Sequence, residues 1–452
     1  MKQFTLRQIA SSCNGKFAGY IDLDTSVSAI VTDSRKIVKG ALFAAIKGAK
    51  ADGHNFIEDS VSNGAVCVLC ERAPEHEGIP YILVQSTLDA IKQIAEAYRA
   101  LFQIPIIGVT GSVGKTSTKE MLFSVLSQKY NVHKTEGNFN NELGVPLTLF
   151  GLEDYHQAAV IEMGISDFGE MKRLSKIVKP EFCVITNIGF CHLEQLKDRD
   201  GVLKAKSEIF EFMNKEGKVF LNGDDDKLRT IKEVYKKRPI FFGFSEHCDY
   251  RAEPIENLGL CGYRSRIHFP GGSFITDIPV IGKDMILNAL VSIAIGHELN
   301  MSDETIIKGI TECKPIGGRS NIIKTKTATI IDDCYNANPT SVKAAIDMLT
   351  NISQKRSVCI LGDMKELGTF EADLHSDIGI YAAKQNVDLL IAIGPLAYHI
   401  YEAFKEINQN SYAFDTIQES LPYLKDLLMP GDTILIKASR SMKFEEIISY
   451  IL

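Results

Sequence analysis

Between positions 106 and 121 the chain reads "IIGVTGSVGKTSTKEM". An apolar strand runs into Gly108, Gly111 and Gly114, and a helix follows with Met121, Leu122, Val125 and Leu126 on one face. Glycines let successive backbone N–H groups turn inward onto phosphate oxygens, and the helix start adds the positive end of its dipole. Gly111, Ser112, Gly114, Lys115, Thr116 and Ser117 are therefore candidate contacts to a nucleoside triphosphate. Lys115 would offset charge on the outer phosphates, and the Thr116 hydroxyl would bind Mg2+. Val109 stands where the commonest form of this loop carries glycine, which changes the entry to the loop and not its donors. Without a ligand the same segment would be an ordinary strand–helix turn. The loop does not say whether phosphate goes to water, a hydroxyl or a carboxylate.

Three more residues have types suited to that chemistry. Glu162, after the apolar run in "AAVIEMGIS", stands where open α/β sheets place their ligands and could complete a Mg2+ shell with Thr116. A solvated strand-end glutamate is the plainer alternative. His192 in "VITNIGFCHLE" is equally open between a ligand and a structural hydrogen-bonder. Lys206 carries more information: in "VLKAKSEIFEFM" at helical spacing, Val202, Leu203, Ile209, Phe210 and Met213 share one face, and Lys206 falls on it. Its methylenes could snorkel. A buried unpaired ammonium is costly, so a paired or modified lysine stands beside that reading.

The elements that must position these residues divide the 452-residue chain into three units, since one hydrophobic core rarely organises that length. Residues 1–100 read as short strands and helices ending in the amphipathic run "TLDAIKQIAEAYRALF", whose Leu88, Ile91, Ile94, Ala95 and Tyr98 recur at helical spacing. Residues 101–314 alternate strand-length apolar runs with helical patterns, which argues for a mostly parallel sheet of the P-loop ATPase type with an appended hairpin. Residues 315–452 restart the alternation as a Rossmann-like unit. The expected class is α/β.

Composition excludes several roles. A net charge of −7 gives no general attraction to nucleic acid or anionic membrane, so an anionic substrate must be held by local cations. No run reaches the length of a membrane span, and the N-terminus lacks a signal-peptide core. The ten cysteines lie mostly in apolar runs, which suits reduced thiols in a cytoplasmic protein. Cys67 and Cys70 form one C-x-x-C in "GAVCVLCE", read as a buried strand and not as a zinc site.

Taken together, "TGSVGKTSTKE", "EGNFNNELGVPLTLF", "EMG", "TNIGFCHLE", "KAKSEIF", "NGDDD", "DDCYNANPTSVKAAI", "LGDMKELG" and "KASRSMKFEEII" resemble the Mur ligase family. The pattern runs in family order from about residue 31 to 446, and is similar to the members that join D-alanyl-D-alanine to UDP-MurNAc-tripeptide. The resemblance implies ATP as cosubstrate, CO2 taken up as a carbamate on Lys206, and two Mg2+ ions held in part by Thr116, Glu162, His192 and the carbamylated Lys206. It assigns Lys115, His192 and Lys206 to catalysis. It places Asn288 near the adenine, Arg319 on the ATP phosphates, and Asp333 and Asn336, with Tyr335 and Asn338, in a motif closing over the nucleotide and substrate. Asn138, Asn140 and Asn141 would face the sugar-peptide. Ser34, Arg35 and Lys47 would contact the UDP, and Ser439 and Arg440 the incoming amine. A monomer is expected, with no nucleic-acid partner and no membrane insertion. Asp284 and Met285 depart from a common His–Asn pair, and Ser207 and Ala438 from common glycines.

The chemistry implied is amide formation, with the carboxylate first taking the γ-phosphoryl group as an acyl phosphate. No protein nucleophile is needed. A rival within the superfamily, a folylpolyglutamate synthase, usually begins close to its phosphate loop, whereas this loop starts only after residue 105; the preceding tripeptide-forming ligase is disfavoured by the lack of a D-N-P-R motif. A P-loop switch or kinase would not need Lys206 on an apolar face.

Overall fold

The computed structural model describes residues 1–48, 51–279, 281–314 and 321–452. Three sheets form in sequence order. The first has five strands, ordered Lys16–Ala18, Tyr81–Leu83, Ala65–Cys70, Ala41–Ala44 and Ile30–Val31, with only the first pair antiparallel. Cys67 and Cys70 are buried in its central strand, as their apolar setting predicts, and burial pushes the Cys67 thiol up to about 12.

The middle sheet has nine strands. From one edge they are Gly272–Ile278, Tyr263–Phe269, Tyr250–Asn257, Ile240–Gly243, Lys218–Asn222, Phe182–Ile185, Ile106–Thr110, Ala158–Glu162 and Val132–Lys134. The hairpin at one edge is antiparallel and the other pairs are parallel. The strands Ile106–Thr110, Ala158–Glu162 and Phe182–Ile185 are buried at every position, as expected for a sheet covered on both faces. The helices Lys115–Leu126, Met285–Glu298 and Asp303–Thr311 cover one of those faces, with Leu122, Val125, Leu290 and Ile306 in one cluster.

The third sheet runs Asn321–Lys324, Thr329–Asp332, Thr433–Lys437, Ser357–Gly362, Leu389–Ile393, Ser411–Phe414, parallel except for its first pair. Its last strand and the helix Ile417–Leu427 were not visible as patterns. The strand is short and half-exposed at an edge, and Pro422 inside the helix reads as a break.

The helix Thr87–Arg99 joins the first two sheets. Ser86 caps it, and Ala90, Ile91, Ile94, Ala95 and Tyr98 are buried as the spacing predicts. Leu88 is a correction: it lies at the rim of that face and is exposed. The Tyr98 hydroxyl, fully buried, donates to the Leu152 carbonyl at 2.7 Å and accepts from the Lys2 N–H at 2.8 Å. Removing it leaves both groups without that partner. Tyr98→Phe is therefore expected to lower stability by about 1–3 kcal/mol, read as a lower urea midpoint; an unchanged midpoint would show that this bond contributes nothing.

Candidate active site

The strand Ile106–Thr110 sits between Ala158–Glu162 and Phe182–Ile185, and the chain leaves it first to one side and then to the other. That is a topological switch point, where a crevice opens beyond the carboxyl ends of the strands. The phosphate-loop candidate lies there. Gly111 has φ +149°, and a Cβ on it would come within 1.9 Å of Thr186 Oγ1. Gly114, at φ +86°, precedes the helix Lys115–Leu126. Both positions need glycine.

Two residues that sequence reasoning left unnamed fix the loop. Asn187 accepts from the Ser112 N–H through its carbonyl (3.1 Å) and from the Val113 N–H through its side chain (2.9 Å). Its Nδ2 and the Thr186 hydroxyl both donate to the Val113 carbonyl. The signal was "TNIG", directly after an apolar strand. The N–H groups of the first helical turn have no intrahelical acceptor, and Gly114, Lys115 and Ser117 line the cleft they face. The Lys115 ammonium donates to the Gly111 carbonyl at 2.8 Å.

Glu162 is fully buried, which removes the solvated reading. Its Oε2 accepts from the Thr116 hydroxyl at 2.9 Å, and its Oε1 accepts from Asn140 Nδ2 at 2.8 Å. Behind it, Lys119 is also buried, donates to the Thr135 carbonyl at 2.7 Å and stands 3.9 Å from Glu162 Oε2. Lys119 was not anticipated; it supplies positive charge to a carboxylate with no access to water.

Lys206 is 1% exposed, in the helix Arg199–Ser207, beside Cys191. The helix ends before Ile209, so the apolar face continues through a short 3-10 turn, Glu208–Phe210, and the burial of Lys206 stands. Its ammonium has no hydrogen bond or ion pair among the described residues, and burial pushes its pKa down. His192, at φ +53°, brings Nδ1 within 2.5 Å of Glu366 Oε2 from the third sheet's unit. That contact holds the Glu366 carboxyl below the usual range.

Another wall of the crevice is built from helix Met285–Glu298. Asn288 Oδ1 accepts from the Thr118 hydroxyl at 2.7 Å, and its Nδ2 contacts the Met285 sulfur at 3.2 Å. Met285 is thus part of the Asn288 contact set. Asp284 also lines the cleft, its carboxyl pushed up by burial and by the neighbouring charges of Asp347 and Asp224. Arg319 lies outside the described residues.

From the third sheet, Lys437 is buried, pairs with Asp333 at 2.6 Å and donates to the Asn336 carbonyl at 2.8 Å. Tyr335 lies under the Arg440 guanidinium at 5.7 Å. Ser439 Oγ accepts from the Lys365 N–H, and Ala438 is buried against Gly362. The Asn338 side chain caps helix Pro339–Ile352. Asn141 is similarly committed, accepting from the Leu143 and Gly144 N–H groups.

A cleft of about 1210 Å³ unites these parts. Its walls include Ile46 and Leu88, then Lys115, Asn140, Asn141, Glu162, His192 and Asn288, then Asp333, Tyr335, Asn336, Asn338 and Lys437. Gly111, Thr116, Lys206, Asn138, Ser439 and Arg440 are not among its lining residues, nor are Ser34, Arg35 and Lys47. The last three follow the parallel strands Ile30–Val31 and Ala41–Ala44, where Arg35 pairs with Asp33 at 2.8 Å and holds its carboxyl near 2.

No group of three or more His, Cys, Asp or Glu able to hold a metal is found among the described residues. Thr116 and Glu162 are hard oxygen donors of the kind Mg2+ takes when substrate phosphates and water complete its shell. Among the described residues no helix is long and apolar enough to cross a membrane.

The sequence matches the Mur ligase family, catalytic domain, over residues 26–99, the Mur ligase middle domain over 109–296, and the Mur ligase, glutamate ligase domain over 318–440. It is 36% identical to the UDP-N-acetylmuramoyl-tripeptide–D-alanyl-D-alanine ligase of Bacillus subtilis, over 98% of this chain and 97% of that protein. The chain belongs to the Mur ligase family. Among solved Mur ligases it is similar to MurF from Acinetobacter baumannii, with a TM-score of 0.92 and 34% identity over 99% of this chain and 98% of that one. It is also similar to MurF from Thermotoga maritima in complex with ADP, with a TM-score of 0.82 and 28% identity over 93% and 96% of the two chains. As a Mur ligase it carries its phosphate loop clamped on Asn187. Gly111→Ala, which drives a methyl into Thr186, is expected to weaken ATP-analogue binding at least about tenfold by calorimetry. Unchanged affinity would show that the clamp yields freely.

Proposed function

We propose that the protein is the ligase that joins UDP-MurNAc-tripeptide to D-alanyl-D-alanine with hydrolysis of ATP, in peptidoglycan precursor synthesis. The observation that carries this is the full-length likeness to enzymes of that name, with the phosphate loop, Glu162, His192 and the Asp333–Asn338 loop on one cleft. A peptide carboxylate is a poor electrophile. Transfer of the γ-phosphoryl group makes it an acyl phosphate, the amine of the dipeptide adds, and phosphate leaves from the tetrahedral adduct.

The residues divide that work. Loop N–H groups and Lys115 would hold the phosphates and Asn288 would meet the base, both from positions on the cleft wall. Walls drawn from all three units surround the cleft and would shield a reactive mixed anhydride from water. Thr116 and Glu162 would hold Mg2+, with His192 toward a second ion; bound there, the metals supply Lewis-acid polarisation of the phosphoryl oxygens. Lys206 is suited to carbamate formation, because only a neutral amine adds CO2 and burial favours that form. Carbamylation turns that buried amine into an anionic oxygen group. In this reading Ser34, Arg35 and Lys47 would contact the UDP, Asn138, Asn140 and Asn141 the sugar-peptide, and Ser439 and Arg440 the dipeptide.

Lys206→Ala is expected to abolish turnover, with partial return on adding a short carboxylate; unchanged turnover would remove Lys206 from the reaction. Phosphate release with UDP-MurNAc-tripeptide should depend on D-alanyl-D-alanine. A preference for a single amino acid as the amine would overturn the assignment.

A further inference from the structure

The segment 187–194 touches two partners at once. On one side it holds the phosphate loop through Asn187, and the Gly189 N–H donates to Ser112 Oγ at 2.8 Å. On the other it meets the third sheet's unit. A Cβ on Gly189 would come within 2.5 Å of Thr340 Oγ1. The Glu194 N–H donates to the Glu366 carbonyl at 3.3 Å, and Gly368, at φ +60°, lies against the Glu194 backbone.

The centre of this joint is the His192–Glu366 pair. His192 (φ +53°) and Glu366 (φ +66°) both occupy the left-handed region, which residues with side chains seldom adopt. Such conformations persist where surrounding contacts over-determine them, and they cluster at switch regions and clamps. An ionised carboxylate only accepts, so in this pair His192 Nδ1 donates and the ring is held by that edge. His192 also lines the cleft.

We propose that Glu366 is a positioning residue which, by accepting from His192 Nδ1, makes the orientation of the His192 ring conditional on docking of the C-terminal unit. The proposal rests on the ligase reading for what His192 is oriented toward. Its consequence is ordering: the phosphate-side apparatus is complete only when the unit carrying Asp333, Ser439 and Arg440 is seated, so an acyl phosphate is not made before the amine's side of the cleft is in place. Partners of this kind, one step removed from a ligand, typically contribute about 10- to 100-fold to affinity or activity.

The test uses full-length Glu366→Ala and Glu366→Gln. The Glu366 carboxylate is partly exposed, and matching urea midpoints establish that both fold. In Glu366→Ala, amide hydrogen exchange over 192–194 in the substrate-free protein should rise at least about tenfold, and kcat should fall about 10- to 100-fold with KM for the sugar-peptide little changed. Glu366→Gln keeps a carbonyl acceptor and should restore most of both. Wild-type exchange in the Ala variant, or equal impairment of Ala and Gln, overturns the proposal. The exchange measurement needs no substrate, so it decides the joint separately from wild-type turnover, which tests the ligase reading.

Discussion

A carboxylate sealed from water must have partners, and the site is organised around the one at Glu162. The Thr116 hydroxyl, the Asn140 amide and the Lys119 ammonium converge on it from the phosphate-loop helix and the 138–141 loop. A lone buried charge would cost several kcal/mol, so the two donors, the nearby ammonium and the carboxylate hold each other in place. That cluster fixes the helix start against the neighbouring strand end. It also ties the 138–141 loop to the start of the phosphate-loop helix, so the positions of two cleft walls depend on one anion.

Two parallel sheets then point their carboxyl ends into the same space. In the middle sheet, the ends of three adjacent strands deliver the phosphate loop, Glu162 and the Thr186–Asn187 clamp. In the third sheet, the ends of Thr329–Asp332 and Thr433–Lys437 deliver Asp333 and Lys437, which knot the 333–336 loop by a buried ion pair and a hydrogen bond to the Asn336 carbonyl. Parallel strands bring such ends together because each crossover returns the chain in the same direction. A reaction among three molecules needs walls on several sides, and separate sheets with a shared cleft provide them.

What could be read in advance was what short-range spacing encodes. The glycines at 111 and 114, the strand-end position of Glu162 and the apolar face carrying Lys206 were all legible, because each follows from local geometry. Fold class followed from the alternation of strand and helix patterns. Contacts between segments far apart in the chain were not legible. Lys119 looked like an ordinary helix lysine until the Thr135 carbonyl and Glu162 were placed beside it, and Asn187 until the loop was folded onto it. Lys437 and Glu366 belong to the same class: their meaning depends on a partner about a hundred or more residues away, at Asp333 and at His192. Asn338 and Asn141 show the reverse case, since their polar side chains are occupied in capping helices and turns.

The destination of the γ-phosphoryl group distinguishes an acyl-phosphate route from its alternatives. Incubating the enzyme with ATP, D-alanyl-D-alanine and sugar-peptide carrying 18O in both oxygens of the reacting carboxylate measures this directly. Transfer through an acyl phosphate places one 18O in each phosphate released. Phosphate free of 18O, with product still formed, would contradict it.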